Sequence, residues 1–149
     1  MKWQNEIALL TNIRETYQSM EICNEVLFIN VLDSIFRNIT DNKPVKYVSK
    51  AAKNEAKCLG IDLVKMNWDN QSKVDPKRKI FHYEHCIPIK QLRILILQTN
   101  IPIKKIINMD FVCWILKKER NVLDKKYKDH RDNWKKCFAE FGIEPILNK

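Results

Sequence analysis

Apolar residues recur at three- and four-residue steps along the first third of the chain. Ile7, Leu10, Ile13, Tyr17 and Met20 share one helical face, and Ile22, Val26, Ile29, Leu32, Ile35, Phe36 and Ile39 share another. The pattern predicts two helices with a break near Met20-Glu21, or one long bent helix. Asn38-Ile39-Thr40-Asp41-Asn42-Lys43-Pro44 reads as a turn from its Asn, Asp and Pro content. A third helix is expected over residues 47–59, with Val48, Ala52, Ala56 and Leu59 inward and Gly60 as its left-handed stop.

The pattern then changes. Residues 61–79 are polar and irregular, and read as an ordered surface loop ending in Lys77-Arg78-Lys79. A short aromatic strand is expected from Ile80, limited by Pro88. A helix follows over residues 89–98. Asn100 and Pro102 suggest the cap and first turn of another short helix. Phe111-Val112-Cys113-Trp114-Ile115-Leu116 is a continuous apolar run rich in strand formers, and predicts a buried strand. Residues 117–127 return to helix. A last helix runs from Asp132 or Asn133 to Phe141, with Trp134, Cys137, Phe138 and Phe141 inward and Gly142 as its stop. The expected fold is α+β and mainly helical: one domain of 149 residues, with a helical part over 1–60 and a strand-containing part over 61–149.

Composition narrows the function classes. Only two glycines are present, which excludes glycine-rich phosphate loops and dinucleotide fingerprints. The apolar stretches are broken by charge before the roughly 18 residues of a membrane span. Met1-Lys2-Trp3-Gln4-Asn5-Glu6 lacks the basic-then-apolar build of a signal peptide. The five cysteines (Cys23, Cys58, Cys86, Cys113 and Cys137) form no Cys-x-x-Cys pair, so reduced thiols in the cytoplasm are expected.

Charge is the stronger signal. Residues 1–40 carry Lys2, Arg14 and Arg37 against Glu6, Glu15, Glu21, Glu25 and Asp33, a net −2; the whole chain is +9, so the remainder carries +11. A field this lopsided attracts polyanions, and lysines that neutralise phosphates release counterions. Double-stranded DNA is the expected partner, with RNA as the second choice. Lys73, Lys77, Arg78 and Lys79, then Lys117, Lys118 and Arg120, are the candidate phosphate contacts, with Lys104-Lys105 and Lys125-Lys126 behind them. Trp68, alone among the four tryptophans, has polar surroundings that suit stacking on a base.

The candidate chemistry sits beside that basic run. His82 and His85 flank Glu84, and the third histidine, His130, lies in a charged stretch further on. Histidine can take a proton near neutral pH, and a carboxylate is a hard ligand for magnesium or manganese. Phosphodiester hydrolysis uses both kinds of group. Adjacent residues in an extended strand face opposite ways, so Glu84 and His85 converge only if the chain bends there. Glu84 could equally pair with Lys77 or Arg78.

Glu84-His85-Cys86-Ile87-Pro88, followed by the strand at 111–116 and a helix, resembles the acidic-His-x-x-Pro signature of the HNH, or ββα-metal, nucleases. The resemblance covers roughly residues 80–126, with a long insertion between its two strands. It implies a two-stranded ββα-metal core and a metal-dependent endonuclease of restriction or defence type. It also implies His85 as general base, Glu84 as a ligand for magnesium or manganese, Asn121 (or Asp124) as the second ligand, and Asn108 as the residue that orients the histidine. The helical N-terminal part could then form a dimer surface.

Overall fold

The computed structural model describes residues 3–21 and 25–149. Met1, Lys2, Ile22 (expected on the second helix) and Cys23 (expected as a reduced thiol) lie outside the described residues. The chain runs α1 (Gln4–Ser19), α2 (Glu25–Asp41), β1 (Tyr47–Ser49), α3 (Lys50–Leu59), α4 (Gln71–Val74), a 3-10 turn (Pro76–Arg78), β2 (Phe81–His85), α5 (Ile89–Gln98), α6 (Ile103–Met109), β3 (Val112–Leu116), α7 (Lys117–Tyr127), α8 (Trp134–Glu140) and β4 (Pro145–Leu147). The fold is α+β, mainly helical with one small sheet. Among the described residues, no helix is long and apolar enough to cross a membrane.

Among the described residues the sheet has four strands in the order β2-β3-β1-β4, where a two-stranded core was expected. β2 and β3 pair antiparallel, with Glu84 opposite Cys113 and His85 opposite Val112. β3 and β1 pair parallel, and β4 closes the other side of β1 antiparallel. Tyr47 and Val48 are therefore strand, not the first turn of a helix. The helix begins only at Lys50, because the Ser49 hydroxyl accepts the N–H of Ala52 at 3.0 Å and caps it. Gly60 ends α3 at φ 68, its N–H returning to Ala56 and Lys57 carbonyls. Asn100 does not cap α6; Pro102 occupies that position.

Three apolar clusters organise these elements. One lies between α3, the 61–68 segment and one sheet face, around Trp114, Phe81, Tyr83, Val48 and Met66. A second lies on the opposite face, where Cys86, Cys113 and Ile115 meet Leu123 of α7 and Phe138 of α8. The third joins α1 and α2 to α5 and α6 through Leu10, Leu32, Phe36, Ile39, Leu92, Ile96 and Ile106. The long insertion between the two strands is thus two helices that complete the N-terminal helical cluster. Arg14 locks this cluster, donating to the carbonyls of Ile96 at 2.6 Å and Ile101 at 2.7 Å, groups at and beyond the end of α5. Leu59 and Val26, expected inward, are exposed, Val26 to 67%.

The segment before β2, expected as an ordered surface loop, contains α4 and the 3-10 turn. Lys77 and Arg78 both adopt left-handed backbone at φ 59 and 51, a conformation uncommon outside glycine. Asp75, fully buried, holds this turn. Its carboxylate accepts the N–H groups of Lys79, Ile80 and Phe81 and an amide hydrogen of Gln71.

Candidate functional site

β2 continues through His85 without a bend, so the pleat sends His82 and Glu84 to one face and Tyr83 and His85 to the other. The side-chain partners follow this division.

On the α7 face, Glu84 is 8% exposed and both of its oxygens are engaged. Oε1 accepts from the Arg131 guanidinium at 2.7 Å, and Oε2 pairs with His82 Nε2 at 3.0 Å. Arg131 is 2% exposed. It also donates to the carbonyls of His85 at 2.6 Å and Tyr127 at 3.0 Å, while Gln91 brackets its own backbone N–H and carbonyl. Burial alone pushes the Glu84 carboxyl upward. The His82 hydrogen bond and the Arg131 charge outweigh that and hold it below its ordinary value. Lys117, a candidate phosphate contact, is half-buried with Nζ 3.5 Å from His82 Nδ1.

On the α3 face, His85 Nδ1 lies 3.1 Å from Oδ1 of Asp110, which is 2% exposed. An ionised carboxylate only accepts, so in the neutral imidazole Nδ1 carries the hydrogen and Nε2 the lone pair. Among the described residues, no hydrogen bond engages Nε2. Lys43 backs the pair: its Nζ is 3.6 Å from Asp110 Oδ2 and donates to the Asp110 carbonyl at 3.1 Å. Burial lowers the Lys43 ammonium from its ordinary value, and Asp110 opposes that. Asp41 stands in the same field. Its carboxyl is raised by burial and by Asp69, and lowered in part by His85, Arg37 and Arg78. Tyr83 is pushed up by burial and by Asp41, Asp110 and Asp69, and its hydroxyl donates to the Thr40 carbonyl at 2.8 Å.

The residues named from sequence are therefore not brought to one point. Asn108 is exposed near the end of α6, and Asp110, two residues on, is the side chain that holds His85. Asn121 is exposed on α7, and its rival Asp124 pairs with Arg120 at 3.1 Å. Among the described residues, no group of three or more His, Cys, Asp or Glu side chains is placed to hold a metal ion. With both Glu84 oxygens engaged, the residues as arranged do not fit the implied magnesium or manganese site. His130 is exposed and pairs with Asp132 at 2.7 Å.

The candidate phosphate contacts divide in the same way. Lys73, Lys77, Lys79 and Lys118 are exposed. Arg78 lies 3.6 Å from the centroid of the Trp68 ring and donates to the Trp68 carbonyl at 2.9 Å, so the ring expected to stack on a base is covered by an arginine. Asp110 and Arg131, the two residues that sequence reasoning missed, act across 25 and 47 positions. Asp110 had one signal: it immediately precedes the buried strand that pairs with the Glu84-His85 strand. Arg131 had none, since Lys128-Asp129-His130-Arg131-Asp132 reads as solvated.

Comparison with family models, with curated proteins and with solved structures finds no match in any of the three.

Proposed function

We propose that the protein acts on nucleic acid and hydrolyses phosphodiester bonds, with His85 as general base and Asp110 as the residue that orients it. The observation that carries this reading is the His85–Asp110 hydrogen bond. A buried carboxylate on one ring nitrogen fixes the tautomer and leaves the other nitrogen as an acceptor, the arrangement a base needs to take a proton from water. The basic field of residues 41–149 supplies affinity for the phosphate backbone, with Lys73, Lys77, Lys79 and Lys118 as its exposed contacts. Double-stranded DNA is the substrate to try first. The lock on Glu84 favours a second reading, a nucleic-acid-binding protein without catalysis, because it withdraws the carboxylate that the resemblance would give to a metal.

One experiment separates the two. Long duplex DNA and RNA are incubated with the purified protein under magnesium, manganese or chelator, beside His85→Ala. Cleavage lost in the variant while a gel shift persists supports hydrolysis. Binding without cleavage under every condition leaves the non-catalytic reading, and no binding at low salt removes both.

A further inference from the structure

A cavity of about 420 Å³ opens between α6 and the sheet, away from the lock on Glu84; its lining includes Lys43, Lys46, Asn108, Phe111, Leu147 and Asn148. That volume lies within the roughly 300–1,000 Å³ of small-molecule sites. Its apolar wall comes from Phe111 and Leu147, with Val45 and Val112 beside them. Its polar groups are cations and carboxamides. Lys46 Nζ stands 4.1 Å from the centroid of the Phe111 ring, and Lys149 also lines the cavity. Asp110 is the acidic side chain among the described lining residues, and Lys43 and His85 already hold it. The Asn148 amide nitrogen is spent on the carbonyls of Val45 at 3.2 Å and Leu63 at 3.1 Å, which fixes that side chain and leaves its oxygen as an acceptor. Asn108 is exposed, and its carboxamide both donates and accepts.

We infer that this cavity binds a nucleoside monophosphate, either free or as one nucleotide of a strand. Val45, Val112 and Leu147 take the flat face of the base, because Lys46 covers the Phe111 ring. The carboxamides of Asn108 and Asn148 offer the mixed donors and acceptors that a base edge requires. Lys46 neutralises the phosphate. Asp110 belongs both to this wall and to the His85 pair, so an occupant lies one carboxylate away from the proposed base. The inference does not rest on hydrolysis, because binding needs only the cavity.

The test is a titration of the full-length, nitrogen-15-labelled protein, followed by NMR in the absence of divalent metal. The probes are AMP, CMP, their nucleosides, inorganic phosphate and a short single-stranded oligonucleotide. The expected result is saturable shifts at Asn108, Phe111 and Asn148 with the nucleotides. The nucleosides lack the charge-assisted phosphate contact and inorganic phosphate lacks the base, and each should bind at least about tenfold more weakly. Lys46→Glu, at an exposed position, should weaken nucleotide binding by about the same factor or more, while Asn121→Ala, an exposed position outside the lining, should bind as the parent does. Shifts with free nucleotides assign the site to a free ligand, and shifts with the oligonucleotide alone assign it to a strand. No shift at these residues with any probe overturns the inference, as do shifts that Lys46→Glu leaves undiminished. Because cleavage is never measured, failure here leaves the hydrolytic reading where it stood, and the converse also holds.

Discussion

On the α7 face of β2, a carboxylate is enclosed between a guanidinium and an imidazole, with every oxygen engaged. On the α3 face, one residue further along, an imidazole rests on a buried carboxylate and keeps one nitrogen without a protein partner among the described residues. The first arrangement spends its charge on holding the fold together. The second holds a reactive group in one orientation and leaves it available. Two adjacent residues can belong to unrelated jobs because a strand alternates its faces. The comparison also shows that a carboxylate beside a histidine in sequence says little about which atoms meet.

The sharpest way to break the comparison is to remove Arg131. Arg131→Met leaves Glu84 as a buried charge without its guanidinium partner, and should lower unfolding free energy by about 3–5 kcal/mol in a denaturant titration. Adding Glu84→Gln should restore part of that loss, because the uncompensated charge goes with it. A double variant no more stable than Arg131→Met would show that Glu84 is not enclosed as described.

On the other face the expected effect is on rate. If the protein cleaves nucleic acid, His85→Ala should slow cleavage by about 10²–10⁴-fold. Asp110→Asn should slow it too, with the duplex affinity of both variants near that of the parent. A rate unchanged in His85→Ala would place the chemistry elsewhere.

Acid should separate the faces next. The Glu84 carboxyl sits below its ordinary value in the folded chain. Its contribution to stability is therefore present above the unfolded-state value of about 4.3 and is lost as pH falls through the lower folded-state value. Denaturant midpoints between about pH 5 and 2 should fall less steeply in the Glu84→Gln Arg131→Met double variant than in the parent. The smallest effect is expected for Asn121→Ala. This exposed position should change stability by no more than about 0.5 kcal/mol, and cleavage not measurably. A large loss of cleavage there would revive its reading as a ligand.

Much of the fold was legible along the chain, and the reason is local. The α5 span, the α7 span, the β3 run and the stops at Gly60 and Gly142 all rest on periodicity or on a residue's own backbone preference. The misread elements depend on distant partners. Tyr47-Val48-Ser49 is a strand because β3 and β4 flank it; alone, Val48, Ala52 and Ala56 sit at helical spacing. Pro145–Leu147 begins with a proline, which an edge strand tolerates, and it is too short to carry a pattern of its own. The site divides likewise. His85 was visible as a chemical group, but its partner is set by the β2–β3 register, and the fate of Glu84 by an arginine 47 residues away.

The position of β1 also has a consequence for how the molecule is made. Its three residues sit between a strand that follows some sixty positions later and another that follows nearly a hundred positions later. A chain growing from the ribosome therefore carries β1 unpaired until β3 has emerged. One edge of β1 stays open until residues 145–147 are free to close it. Such long-range pairing is slow, and an open strand edge is a template for another chain. Synthesis of this protein should accordingly pass through an interval, before residues 145–147 emerge, in which most helices can already form and the sheet still has an adhesive edge.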